Sequence, residues 1–135
     1  MPMRRLLALL LLSSTAQAEG LMSAEDFEAW STGQTLDYYF PDGRLWGSER
    51  HLPGRRTLDA DADPNATTTC REGHWFPEDG AICFVYDGYD GTHCWRFWRD
   101  GDGVTALSTT GAPDDAPYKV VIPASPLSCL GPEAC

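Results

Sequence analysis

Cys83 and Cys94 are the residues whose types and spacing speak most directly to chemistry. Between them lies Asp87-Gly88-Tyr89-Asp90-Gly91, a run of turn formers. If Asp87 to Asp90 is a four-residue hairpin loop, Tyr86 faces Gly91. The same register sets Cys83 opposite Cys94, Ile82 opposite Trp95 and Phe84 opposite His93. Two thiols facing each other across a hairpin stand within bridging distance, so a Cys83–Cys94 disulfide is expected. The chain has five cysteines, an odd number, which leaves at least one free or paired elsewhere. Cys70, Cys129 and Cys135 remain. Cys129 can close a small loop with Cys135, or Cys70 can take one of the two; Cys70–Cys129 is the preferred arrangement. No C-x-x-C or H-x-x-x-H spacing is present, and Cys70-x-x-x-His74 with His93-Cys94 makes no recognisable zinc set.

Other chemistries find little footing. Asp59, Asp61, Asp63 and Asn65 alternate like calcium ligands. Pro64, however, stands where the loop needs glycine, and Cys70 stands where it needs a bidentate glutamate. A solvated acidic loop is the expectation. Asn65-Ala66-Thr67 fits a glycosylation acceptor, which has meaning only in a eukaryotic secretory pathway. There is no Gly-x-Ser-x-Gly elbow, and His51, His74 and His93 have no distinctive neighbours, so a structural role is expected for each. No carboxylate pair can be singled out among 20 acidic residues. No catalytic residue, cofactor or metal site is therefore assigned. Tyr89, Arg96 and Trp98 form a candidate binding surface, since exposed aromatics beside arginine favour contact with partners.

Several elements must position these side chains. Ser23 and Asp26 make a capping box for a helix over residues 24–31, with Phe27 and Trp30 on one face and Gly33 beyond its end. Turn signals then separate short aromatic and β-branched runs. The expected strands are 35–40, 44–50, 70–76, 81–86, 92–99, 103–109 and 117–122. With Pro77 to Gly80 as a loop, Trp75 faces Ile82, and Trp75, Ile82 and Trp95 form one core row. Residues 53–69 read as a long exposed loop. The fold class is mainly β: a small antiparallel meander forming a barrel-like or strongly twisted sheet, with one short N-terminal helix. A tail over 123–135, rich in proline, glycine and cysteine, follows a single domain over 19–122.

Residues 1–18 have the order of an export signal. Arg4 and Arg5 precede the apolar run Leu6–Leu12, and Ala16-Gln17-Ala18 offers a small-x-small cleavage site. The run is well short of the about 20 apolar residues that span a bilayer. No cysteine near the cleavage site supports a lipid anchor, and no later segment supports membrane insertion. A periplasmic or secreted location is expected, where cysteines form disulfides. The net charge of −10, more acidic still without Arg4 and Arg5, argues against nucleic acid as a partner.

Phe40-Pro41-Asp42-Gly43-Arg44, Gly73-His74-Trp75, Ile82-Cys83-Phe84 and Cys94-Trp95 together resemble a pattern in small secreted proteobacterial β-domain proteins that have no assigned activity. The resemblance spans roughly residues 23–108 and stops before the C-terminal cysteines. It implies an exported β domain and carries no activity across. The expected function is that of a non-catalytic, monomeric exported protein that binds an envelope protein or a small ligand. The runner-up is a small envelope hydrolase using a histidine and carboxylates in a β cleft. A pocket in which a histidine meets a carboxylate would favour the second.

Overall fold

The computed structural model describes residues 20–62 and 70–129. The expected export signal, Asp63, Asn65 with its sequon, and Cys135 lie outside these residues. One helix, α1 (Ala24–Ser31), precedes eight strands: β1 (Thr35–Tyr39), β2 (Leu45–Leu52), β3 (Arg56–Asp61), β4 (Arg71–Glu78), β5 (Ala81–Tyr86), β6 (His93–Asp100), β7 (Gly103–Ser108) and β8 (Tyr118–Val121). The strands pair antiparallel in chain order, and β1 pairs with β8 to close a barrel.

The capping box holds α1 in place at its start. Ser23 Oγ accepts from the Asp26 amide at 3.1 Å, and Asp26 Oδ2 accepts from the Ser23 amide at 3.4 Å. Phe27 is fully buried and enters the barrel as a plug. Its ring lies 4.5 Å from Phe97, 5.1 Å from Trp75 and 5.5 Å from His51, centroid to centroid. Arg55, in the β2–β3 turn, clamps the helix from outside. It donates to both oxygens of Glu28 and lies over the Trp75 ring. This end of the barrel is closed.

Inward positions alternate along each strand, as the pleat requires. At the closed end they are apolar: Leu36, Trp75, Ile82, Phe84, Phe97 and Val104 are all buried. The pairing of β5 with β6 covers only Ile82–Phe84 against His93–Trp95. Farther along β6, the lead-in to the helix takes the vacated edge. The Met22 amide donates to the Phe97 carbonyl, and the Arg99 amide donates to the Gly20 carbonyl.

The hairpin register of Cys83 and Cys94 is as expected, and the two are bridged with Cα atoms 3.9 Å apart. The bridge sits on the outer face beside Phe76 and Ala81. The second disulfide is Cys70–Cys129, with Cα atoms 5.3 Å apart. It ties the tail to the barrel wall, where the Leu127 amide also donates to Thr35 Oγ1 at 2.9 Å.

Two expectations need correction. The exposed loop over 53–69 contains β3, whose pairs run from Arg56–Leu52 to Asp61–Gly47 on one side and meet β4 on the other. Its pattern is inverted: Thr57, Asp59 and Asp61 share the inward parity while Leu58 faces out. A polar face turned toward the barrel interior hides a strand from any search for apolar alternation. The β4–β5 turn is also tighter than expected. Only Asp79 and Gly80 lie between Glu78 and Ala81, with φ of 50° and 76°, the positive pair that two-residue hairpins favour. Trp75 consequently faces Phe84 rather than Ile82, and His74 faces Val85. The shift is two residues, so each side chain keeps its face.

Candidate ligand-binding site

Above the plug the barrel is hollow. A cavity of about 340 Å³ is open at the end opposite α1, bounded by the β5–β6 and β7–β8 loops. A volume of this size is at the small end of the range for organic ligands. Eight-stranded barrels have interiors just wide enough to be filled by side chains or to hold one small molecule. Here the filling stops at Phe84, and polar strand residues line the space above it.

One wall is aromatic. At the β1–β2 bulge, Tyr38 faces Gly47 and Tyr39 faces Leu45, which leaves Trp46 as the extra residue. A bulge re-aims a side chain, and the Trp46 ring lies 5.7 Å from Trp95 and 5.1 Å from Tyr118. The opposite wall is charged. Arg71 Nε donates to Asp59 Oδ1 at 3.2 Å and its Nη2 donates to Oδ2, a bidentate pair, while Asp61 lies 3.5 Å from the same nitrogen. The guanidinium also lies over two rings, 4.1 Å from the centroid of Tyr89 and 5.5 Å from that of Tyr86. Burial holds the Asp59 carboxyl above its usual range, opposed by the hydrogen bond from Arg71; that hydrogen bond is the main reason Arg71 holds its proton more tightly than a free arginine.

At the base is Glu49, only 3% exposed. Its Oε1 accepts from Tyr38 Oη at 3.1 Å and lies 2.8 Å from His51 Nε2; its Oε2 accepts from Tyr86 Oη at 2.7 Å. Burial, and then the charge of Glu49, raise both tyrosines well above an ordinary phenol. Both therefore remain neutral donors. His51 Nδ1 is buried without a hydrogen-bond partner. Nε2 is the ring nitrogen aimed at the carboxylate, so it is the one placed to donate. Glu49 is thus held by two phenols and one imidazole.

The candidate surface residues separate. Tyr89 stands at the cavity mouth, 56% exposed, capping Arg71. Arg96 is exposed on the outer face of β6. Trp98 is half-buried on that same face, bridged to Leu21 of the lead-in. Of the histidines, His93 lines the cavity, His51 meets Glu49 beneath it, and His74 faces outward near Phe76. Sequence reasoning missed Glu49 and Arg71 and took Asp59 for part of a solvated acidic loop. The available signal was Glu49-x-His51, two residues apart in a strand and so on one face. One cluster with metal-like proximity, Glu78, Cys83 and Cys94, holds no ligand set, because the two sulfurs are bonded to each other. A second hollow of about 700 Å³ lies along the outer surface by β1, β7 and β8; Asp100 and Lys119 are its charged lining.

Comparison with known proteins returns no match to a family model, a curated protein or a solved structure. Among the described residues no helix is long and apolar enough to cross a membrane. Both disulfides are of the kind that persists in oxidising compartments.

Proposed function

We propose that this chain is an exported, non-catalytic binding protein that takes a small organic molecule into the open end of its barrel. The observation that supports this most is the cavity itself. It is a concave space walled by aromatic rings, with a few convergent polar groups above a solid core, the usual composition of a ligand site. The paired cysteines and the leader-like residues 1–18 support a periplasmic or secreted address.

The hydrolytic alternative draws on the Glu49–His51 contact. His51 is 1% exposed, and both Glu49 oxygens are already engaged, so neither group meets a reacting atom. Ser48, which lines the space, donates its hydroxyl to Asp37. Binding is the better reading.

The test is a fragment screen by ligand-observed NMR, using small aromatic molecules of each charge type, with Trp46 and Trp95 fluorescence as a second readout. Ala112 lines the mouth, and Ala112→Trp should fill the space and abolish the hits while leaving the thermal midpoint within a few degrees. Binding that survives Ala112→Trp, or no binding by any fragment, would refute the proposal.

A further inference from the structure

We infer that the ligand is an organic cation, an ammonium or quaternary ammonium group on an apolar or aromatic body. This rests on the cavity being a ligand site and specifies its chemistry.

The first support is charge. Glu49, Asp59 and Asp61 line the space, and Arg71 is the one permanent cation lining it among the described residues. Arg71 is committed to Asp59 through a bidentate pair and leans toward Asp61. Glu49 is held by two phenols and one imidazole, which fix its position at the base of the cavity. Field lines from a charge in a low-dielectric wall focus into the opening. An anion entering here would approach Glu49 without a free cation to receive it. A cation would be drawn in.

The second support is the rings. Trp46 and Trp95 lie with centroids 5.7 Å apart on one wall, and Tyr38 and Tyr86 flank Glu49. Ring faces attract cations, tryptophan most of all, and boxes of such rings are a recurrent way of holding quaternary ammonium groups. The protein already shows the preference with its own side chain. The Arg71 guanidinium lies over Tyr89 and Tyr86 beside the acids, as a captured cation would. Its guanidinium leaves the Trp46–Trp95 wall to a second cation.

The third support is the direction of the donors around Glu49. Because Tyr38, Tyr86 and His51 all point at Glu49, their hydrogens are spent inside the protein. An anionic or strongly accepting ligand would have to take them from a buried carboxylate, leaving that group unsatisfied at substantial cost.

The experiment titrates the oxidised protein with three probes of similar shape, read by calorimetry and tryptophan fluorescence. They are benzyltrimethylammonium, its neutral carbon isostere neopentylbenzene, and benzylsulfonate. The cation should bind about tenfold or more tighter than the isostere, and the sulfonate most weakly. Glu49→Gln should shrink the ratio of cation to isostere toward unity. Asp61→Asn, at an exposed carboxylate, should reduce it partially and serves as the deciding variant if Glu49→Gln does not fold. If the isostere or the sulfonate binds as tightly as the cation, or the ratio is unmoved in the folded variants, the inference fails while the cavity remains a ligand site. If none of the three binds, the inference fails, and the fragment screen alone decides whether the cavity is a ligand site.

Discussion

Raising the pH should unfold this barrel through two tyrosines. Tyr38 and Tyr86 are half-buried as residues, but the group that titrates in each is a hydroxyl hydrogen-bonded to Glu49 inside the barrel. Both are held well above the phenol value of 10.0, chiefly by burial and then by the Glu49 charge. The folded chain therefore keeps two protons that the unfolded chain releases above about pH 10. With more protons bound in the folded state, stability falls as pH rises. It is fully present below the unfolded value and is lost progressively above it. Each retained proton contributes a slope of about 1.4 kcal/mol per pH unit, so the pair gives about 2.7 kcal/mol per unit. A domain of ordinary stability, about 5–15 kcal/mol, loses much of it within two or three units of that slope. The assay is urea unfolding at a series of pH values from about 8 upward, with Tyr38→Phe, Tyr86→Phe and the double variant. Each single variant should lose about 1.5–3 kcal/mol at neutral pH, because a hydrogen bond to a charged acceptor is gone. Each should also halve the alkaline slope. The slope separates titration from packing, since a merely structural role would lower the whole curve and leave its steepness alone. Equal slopes in the parent and the double variant would refute the reasoning.

Phe27→Ala should cost about 3–5 kcal/mol, as for other large-to-small aromatic changes in cores, because Phe97, Trp75 and His51 lose a shared partner; thermal unfolding by circular dichroism measures it. Gly73→Ala should be costly despite its small size. A Cβ there would stand 2.8 Å from Tyr86 Cδ1, Thr57 Oγ1 and the Val85 carbonyl, so a loss of about 1–3 kcal/mol is expected, with a perturbed Tyr86 ring signal in NMR. Replacing both cysteines of a bridge by serine should destabilise by about 4 kcal/mol at Cys70–Cys129 and about 3 at Cys83–Cys94, following loops of 59 and 11 residues. Denaturant titration gives both numbers, and peptide mapping of the unreduced protein should return these two pairings.

What the sequence made legible was local. Ser23 and Asp26 bracket the start of α1, and the Asp87–Asp90 loop fixes the register that aligns Cys83 with Cys94. Both depend on residues within a dozen positions of each other. The meander follows from the turn signals between the strands, such as Asp79-Gly80 and Asp100-Gly101-Asp102-Gly103. The site was hidden for the reason that makes it a site. A strand lining a polar cavity puts Thr57, Asp59 and Asp61 inside and Leu58 outside, which reads as a solvated loop. Arg71 and Asp59 are partners across a connection whose length carries no register signal. Trp46 enters the wall only because a bulge breaks the alternation that would aim it outward. Glu49 needed three partners from three separate stretches of chain, and its neighbour His51 shows one of them.

The β1–β8 seam has a consequence for how the chain is made. Asp37, Tyr38 and Tyr39 find Val121, Val120 and Lys119, so the first strand waits for the last. No hairpin cut from the middle can complete the hydrogen bonding of its outer edges, and contacts between chain ends are the slowest to form. The disulfide from Cys70 to Cys129 reaches beyond β8. A ribosome must therefore deliver all eight strands before the cylinder can lock. For a protein proposed to leave its compartment of synthesis, late closure leaves the chain pliable until β8 is present and its cysteines meet an oxidising medium.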